Sequence, residues 1–139
     1  MFAFFHELGH ALIGELGIPA TGREEDAVDE FATLLLVGVG DVGEQSALGG
    51  AFWFILEAAQ RGEKPPVFWD EHSFDLQRLG TIVCLLYGHA PEKFAPLMAR
   101  LGIPDQRQKR CTLEFPKKQQ SWETLLKPYM KVKRAEGWQ

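Results

Sequence analysis

The sequence predicts a mainly α-helical protein, and two observations lead to this fold class. Apolar residues recur three and four positions apart in most segments, which is the spacing that gives a helix one buried face. Glycines and prolines separate these segments, and no segment alternates apolar with polar residues as a half-buried strand would. We expect the 139 residues to form a single domain, 1–139, because that length suits one hydrophobic core.

The predicted helices follow one another with short breaks. The first covers residues 2–16 and ends at Gly17, because glycine followed closely by proline stops a helix. The second covers about 24–37 and begins with acidic residues, which the helix dipole favours at that end. The remaining predicted segments are a Gly-rich break at 41–45, helices at 46–60, 72–87 and 91–101, an irregular stretch at 103–116 and a final helix at 119–134.

The composition is that of a globular protein without a membrane span. Apolar residues make up 45% of the chain and charged residues 24%, which argues against disorder. The longest apolar stretches, 31–40 and 47–56, are each about half as long as a bilayer span requires. We therefore expect no transmembrane segment. The first five residues carry no basic charge and run into polar residues, so they are not an intact signal peptide.

The charge is unevenly distributed along the chain. Residues 1–99 carry 5 basic and 15 acidic side chains, whereas residues 100–139 carry 10 basic and 4 acidic ones. A basic C-terminal third can indicate a nucleic-acid partner, but it contains no zinc finger, helix-turn-helix signature or interleaved aromatic residues. We expect it to pack or be solvated beside the acidic body, with no nucleic-acid partner.

The first predicted helix carries the motif His6-Glu7-Leu8-Gly9-His10. Residues four apart lie one above the other on a helix, so both imidazoles can reach one Zn²⁺ ion. Glu7 projects beside such an ion, where it can take a proton from water as a general base. The alternative is a helix with two surface histidines, but the apolar stripe through Leu8 predicts a packed helix in which both histidines need partners.

A third metal ligand is expected from the acidic start of the second helix. Glu25 and Asp29 lie four apart on one helical face, and Asp26 and Glu30 form a rival pair. The helical face of Glu25 and Asp29 continues through residues that are smaller or more apolar than those on the face of Asp26 and Glu30, which suits packing against the first helix. Within that face Glu25 is the longer side chain and is the favoured ligand, while Asp29 is placed to accept the N–H of a liganding histidine. All four carboxylates stay open as candidates.

Several motifs along nearly the whole chain resemble those of one protein family. They are His-Glu-Leu-Gly-His-Ala-Leu-Ile at 6–13, Arg-Glu-Glu-Asp-Ala-Val-Asp-Glu-Phe-Ala-Thr-Leu-Leu-Leu at 23–36, Asp-Glu-His-Ser at 70–73, Gln-Arg at 77–78, Cys-Leu-Leu-Tyr-Gly at 84–88, Arg-Cys at 110–111, and Trp122. The chain in these segments resembles a bacterial domain family of unknown function that is classed with the metallopeptidases.

The resemblance implies a zincin-like fold and a zinc peptidase activity. It implies that His6, His10 and Glu25 hold Zn²⁺, and the spacing of Glu25 and Asp29 is similar to that in zinc peptidases where the second acid orients a histidine. The implied substrate is a peptide or protein, hydrolysed by a metal-activated water with Glu7 as the base. The alternative is a non-catalytic zinc-binding or protein-interaction domain.

The resemblance also implies a β-sheet and export of the protein. Zincin-like peptidases place a sheet before the His-Glu-x-x-His helix, yet five residues precede His6. The sequence is therefore interpreted as the helical part of a zincin-like domain, with the N-terminal β-sheet missing from the chain. Members of the family are mostly exported, so we expect a periplasmic or secreted full-length protein.

Two further features depend on this interpretation. His72 is a candidate to stabilise the negative oxygen of the reaction intermediate, against the alternative of a local polar network; Arg78 and Tyr87 are weaker candidates for that role. Cys84 and Cys111 are either free buried thiols or a disulfide, and the export implied by the family favours the disulfide. That bridge would close a loop of about 28 residues and stabilise the fold by roughly 3–4 kcal/mol.

Overall fold

The computed structural model describes residues 1–62 and 73–130, and its regular elements are helices. They are α1 (Phe2–Leu16), α2 (Glu24–Val37), α3 (Asp41–Arg61), α4 (Asp75–His89), α5 (Pro91–Arg100), α6 (Asp105–Leu126) and a 3₁₀ turn (Lys127–Tyr129). No strand occurs within the described ranges, so the prediction of a mainly α protein is confirmed. In the same residues, no helix is both long and apolar enough to cross a bilayer.

The first two helices pack closely against each other. Helix α1 ends at Gly17, whose positive φ of 62° closes the helix in the left-handed conformation that glycine adopts without strain. The chain then turns back within a few residues, and α2 lies against α1 at Gly9. A Cβ atom at Gly9 would lie 2.8 Å from Cγ1 of Val28, so only a glycine allows the helices to approach this far. The short connection predicted from the sequence thus brings α2 beside the His-Glu-x-x-His helix.

Helix α4 runs through the main hydrophobic core. Its buried residues include Ile82, Val83 and Leu86, and the helix contacts α2, α3, α5 and α6. A smaller second cluster lies between α1, α2 and α6, where Phe31 stacks near Trp122 with ring centroids 4.7 Å apart. Because α4 contacts elements on several sides, it joins the α1–α2 pair to the C-terminal helices.

A disulfide between Cys84 and Cys111 links α4 to α6. Both residues are buried, and their Cα atoms lie 5.1 Å apart. The helices approach closely here because Gly88 has no side chain: a Cβ atom there would lie 2.5 Å from the carbonyl oxygen of Cys111. The predicted disulfide is confirmed.

Three predicted boundaries were wrong. Helix α3 begins at Asp41 because the Gly-rich segment 41–45 forms its first turn, with Gly40 before it at a φ of 79°. Helix α4 begins at Asp75 and extends to His89. The stretch predicted to be irregular, 103–116, is mostly part of α6, which also contains Pro116 in its interior.

Tertiary packing explains why the stretch 103–116, predicted to be irregular, is mostly helical. Cys111 is fully buried against α4, and an ion pair of 2.7 Å between Arg107 and Glu114 follows the same helix. These contacts outweigh the weak helical pattern that the sequence shows here. The predicted final helix at 119–134 is therefore the second half of α6, which ends at Leu126; residues 131–134 lie outside the described part of the chain.

Candidate metal centre

The two histidines of α1 lie one turn apart on the face that meets α2. Their ring centroids are 4.9 Å apart, and the side chains of His6 and His10 are 13% and 27% exposed. The helical spacing therefore stacks the two imidazoles at the edge of the α1–α2 interface, as the motif predicts.

A carboxylate from α2 holds each imidazole through its Nδ1 atom. His6 Nδ1 lies 2.9 Å from Oδ1 of Asp29, and His10 Nδ1 lies 2.7 Å from Oε1 of Glu24. An ionised carboxylate can only accept a hydrogen bond, so the Nδ1–H of each ring is the donor. This is the orientation in which the Nε2 atom of a neutral imidazole is available to a metal ion.

Glu25 lies opposite both Nε2 atoms. Its Oε2 is 3.3 Å from Nε2 of His6, and its Oε1 is 3.2 Å from Nε2 of His10. One donor atom from each of the three residues lies within 4.8 Å of the others. With neutral imidazoles, two nitrogen lone pairs therefore face a carboxylate, and this convergence is stabilised when a cation or a proton lies between them. The donor set fits a metal ion.

Arg78 from α4 completes the surroundings of Asp29. Its Nε and Nη2 atoms donate to the two carboxylate oxygens of Asp29 at 2.6 and 2.8 Å, and its guanidinium lies 4.2 Å from the ring centroid of Phe54. Burial raises the pKa of Asp29, but the hydrogen bonds from His6 and Arg78 outweigh burial, and the pKa is lowered. Asp29 is therefore ionised and held in place when it accepts the N–H of His6.

The charges of the centre leave it acidic. The carboxylates of Glu24, Glu25 and Asp29 and the guanidinium of Arg78 have a net charge of −2, which a divalent cation would neutralise. Burial lowers the pKa of His10, but the hydrogen bond with Glu24 and the nearby carboxylates outweigh burial, and the pKa is raised. A proton and a metal ion therefore compete for the same position.

The two rival carboxylates of α2 point elsewhere. Asp26 accepts a hydrogen bond of 2.7 Å from the Ser73 hydroxyl, and Glu30 pairs with Lys118 of α6 at 2.8 Å. Burial raises the pKa of Glu30, and this effect outweighs the pairing with Lys118. The structure thus brings Glu25 and Asp29, the favoured helical face, to the two histidines.

The other predicted site residues differ in their placement. Glu7 is exposed on α1, and its carboxylate is among those that raise the pKa of His10. His72 lies outside the described residues, so its role stays a prediction. Arg78, a weaker candidate for the same role, is hydrogen-bonded to Asp29, and Tyr87 packs against the main core.

The sequence reasoning missed one residue of the centre, Glu24, and the contact that Arg78 makes with Asp29. Glu24 accepts the N–H of His10. It could have been found from the sequence, because each liganding histidine is expected to have a carboxylate partner and Asp29 serves only one of the two. The contact between Arg78 and Asp29 has a weaker signal, namely an arginine on the apolar face of α4 whose burial requires an opposite charge.

In the described residues, a helical frame brings two histidines and a glutamate to one point, where they could hold a metal ion. The chain belongs to the DUF4344 family, described as "Putative metallopeptidase", whose model matches residues 1–126. No curated protein and no solved structure matches the chain. Membership of this family implies a metal ion and a peptide or protein substrate.

Proposed function

We propose that the protein is a zinc-dependent peptidase whose ion is held by His6, His10 and Glu25. The observation that carries the proposal is the arrangement of the two imidazoles. Each Nδ1 is held by its own carboxylate, and both Nε2 atoms face Glu25 at 3.2–3.3 Å. Zinc is favoured over other cations because nitrogen and carboxylate ligands of this number are typical of catalytic zinc sites, which keep a further position open.

In the proposed reaction, the protein's own residues transfer the proton and orient the metal ligands. A zinc ion in such a site supplies Lewis acidity, which acidifies water and polarises a peptide carbonyl. The Glu7 carboxylate, exposed beside His10, takes the proton from the attacking water and can return it to the leaving amine. Asp29 and Glu24 keep the two imidazoles in the orientation that presents Nε2, and Arg78 fixes Asp29.

We further propose that the protein is exported. The disulfide between Cys84 and Cys111 supports this localisation, because such bridges persist in oxidising compartments and are rare where thiols are kept reduced. Finding both cysteines as free thiols in protein trapped by alkylation from its native cells would contradict export.

The substitution Glu7→Gln tests the peptidase mechanism. An amide cannot accept the proton, so hydrolysis of a peptide mixture should fall by about 10²–10⁴-fold, while zinc stoichiometry and thermal stability stay as in the parent. The matched control is Glu15→Gln, an exposed glutamate on the same helix, which should leave hydrolysis unchanged.

Three results would argue against the mechanism in different ways. Unchanged hydrolysis in Glu7→Gln would remove Glu7 from the reaction. Loss of zinc in that variant would make Glu7 a structural residue. Stoichiometric zinc without hydrolysis of any peptide by the parent would favour the non-catalytic zinc-binding domain.

A further inference from the structure

A cavity of about 690 Å³ opens beside His6. Its walls come from the start of α1, one face of α3 and the start of α4, and His6 and Arg78 connect it to the metal centre. Its volume falls within the range of small-ligand and side-chain pockets in proteins. A substrate bound at the centre therefore has an adjacent space into which a side chain can extend.

The α3 wall of this cavity contains two aromatic residues and two glycines beside Ser46 and Glu57. Phe54 is buried at 5% exposure, whereas Trp53 is 59% exposed at the opening. Gly49 lies one turn before Trp53 on α3 and also lines the cavity. A Cβ atom at Gly49 would meet nothing within 4 Å, so this position leaves free space. A Cβ atom at Gly50 would instead lie 2.4 Å from the ring of Phe2, which closes that side.

The charges of the cavity disfavour an acidic ligand. Arg78 is the one Lys or Arg side chain among the described residues that line the cavity, and its guanidinium donates to both oxygens of Asp29. Glu57 and Asp75 also line the cavity and would repel a carboxylate. Phe2, Trp53, Phe54 and Phe74 line the cavity beside these polar side chains, so it also offers apolar contact to a bound side chain.

We propose that this cavity is the specificity pocket of the peptidase and binds a bulky apolar side chain, aromatic or aliphatic, next to the cleaved bond. The inference rests on the proposed peptidase function, because it assumes a peptide bond held at the centre of His6, His10 and Glu25. Trp53 and Phe54 supply the apolar contact, and Gly49 leaves the room that the side chain fills.

The first test measures kcat/KM for peptides that differ at one position beside the cleaved bond. Peptides with Phe or Leu there should be hydrolysed at least about tenfold faster than peptides with Gly, because a pocket of this kind gains that much from a few buried methylene groups. In Gly49→Leu the new side chain occupies part of the pocket, and the preference for Phe over Gly should fall several-fold.

The control variant is Gly80→Leu. Gly80 is also a helical glycine with nothing within 4 Å of its Cβ position, but it does not line the cavity, so the preference should stay as in the parent. If Gly49→Leu does not fold, Trp53→Ala replaces it, because this exposed side chain contributes to the pocket wall and should lower the preference several-fold.

The second test separates the pocket from the chemistry. Zinc-loaded Glu7→Gln is titrated with the Phe and Gly peptides in a calorimeter, and the Phe peptide should bind at least about tenfold more tightly. If this holds while the parent hydrolyses neither peptide, the proposed peptidase function fails and the pocket stands. Equal binding of the two peptides, a preference for a peptide with Arg at that position, or equal effects of Gly49→Leu and Gly80→Leu would overturn the pocket.

Discussion

The two ends of helix α4 are held in different ways. At its start, Arg78 joins a network of charges that includes Asp29 and the two histidines of α1. Further along, Cys84 is joined covalently to Cys111 of α6 within an apolar core. Arg78 and Cys84 are six residues apart, which is about 9 Å along a helix.

The two ends of α4 differ in whether they involve the candidate metal centre or the hydrophobic core. The charged end contains carboxylates that a divalent cation would neutralise, so a bound cation would stabilise its arrangement. The disulfide end contains Cys84 and Cys111, which are buried and joined covalently, so this link needs no ligand. We therefore expect changes at the charged end to act mainly on metal affinity, and changes at the disulfide end to act mainly on the free energy of unfolding.

The largest expected effect is the loss of metal binding in Glu25→Ala. This change removes a ligand, so zinc affinity should fall further than in Asp29→Ala, where the lost partner of His6 should cost about 10–100-fold. Competition with a chromogenic chelator measures both affinities. Asp26→Ala is the control on the same helix, and its affinity should equal that of the parent because Asp26 bonds Ser73 instead. If Glu25→Ala binds zinc like the parent and Asp29→Ala binds none, then Asp29 is the ligand and Glu25 is not.

The second prediction concerns the double variant Cys84→Ala/Cys111→Ala. The bridge spans 27 positions in the sequence, so its removal should lower the free energy of unfolding by about 3–4 kcal/mol in the chain-entropy model. Urea denaturation measures this change, and reduction of the parent with dithiothreitol should have a similar effect. Zinc affinity below the unfolding transition should not change, and a tenfold loss would show that the two ends of α4 are coupled.

The third prediction tests the contact that brings the histidines to α2. In Gly9→Ala the new Cβ would lie 2.8 Å from Val28 and 3.2 Å from Phe31, so the helices must separate. We expect a loss of about 1–3 kcal/mol in the free energy of unfolding, together with weaker zinc binding. Gly14→Ala on the same helix has open space and should be stabilising by about 0.5–1 kcal/mol. Equal stability of the two variants would contradict the close packing.

Part of this structure follows from local patterns in the sequence. The His-Glu-x-x-His spacing and the Gly17 stop predict α1, and the short connection predicts that α2 returns beside it. Helical periodicity also places Glu25 and Asp29 on one face and Asp26 and Glu30 on another, and the sequence favoured the first face without excluding the second.

The remaining features depend on contacts between distant parts of the chain. Arg78 is 49 residues from Asp29, and no local pattern relates the two. Helix α6 continues through Pro116 because its buried face packs against α4, and this overrides the propensity of the segment. The cavity beside His6 likewise requires three separate helices to be placed together.

The smallest expected effect is a change in the pH dependence of stability at Glu30, an acidic side chain of α2 that does not face the histidines. Burial raises its pKa above 4.5 despite the pairing with Lys118 at 2.8 Å, so the protonated form is favoured in the folded protein. Its contribution to stability is therefore complete below pH 4.5 and declines as the pH rises through the folded pKa. Glu30→Gln removes this titration, and between pH 4 and pH 7 the metal-free variant should gain less than about 1 kcal/mol relative to the parent in urea denaturation. Glu123→Gln, at an exposed position of α6, should show no such gain. A variant that instead loses stability relative to the parent as the pH rises would mean that the pairing with Lys118 outweighs burial.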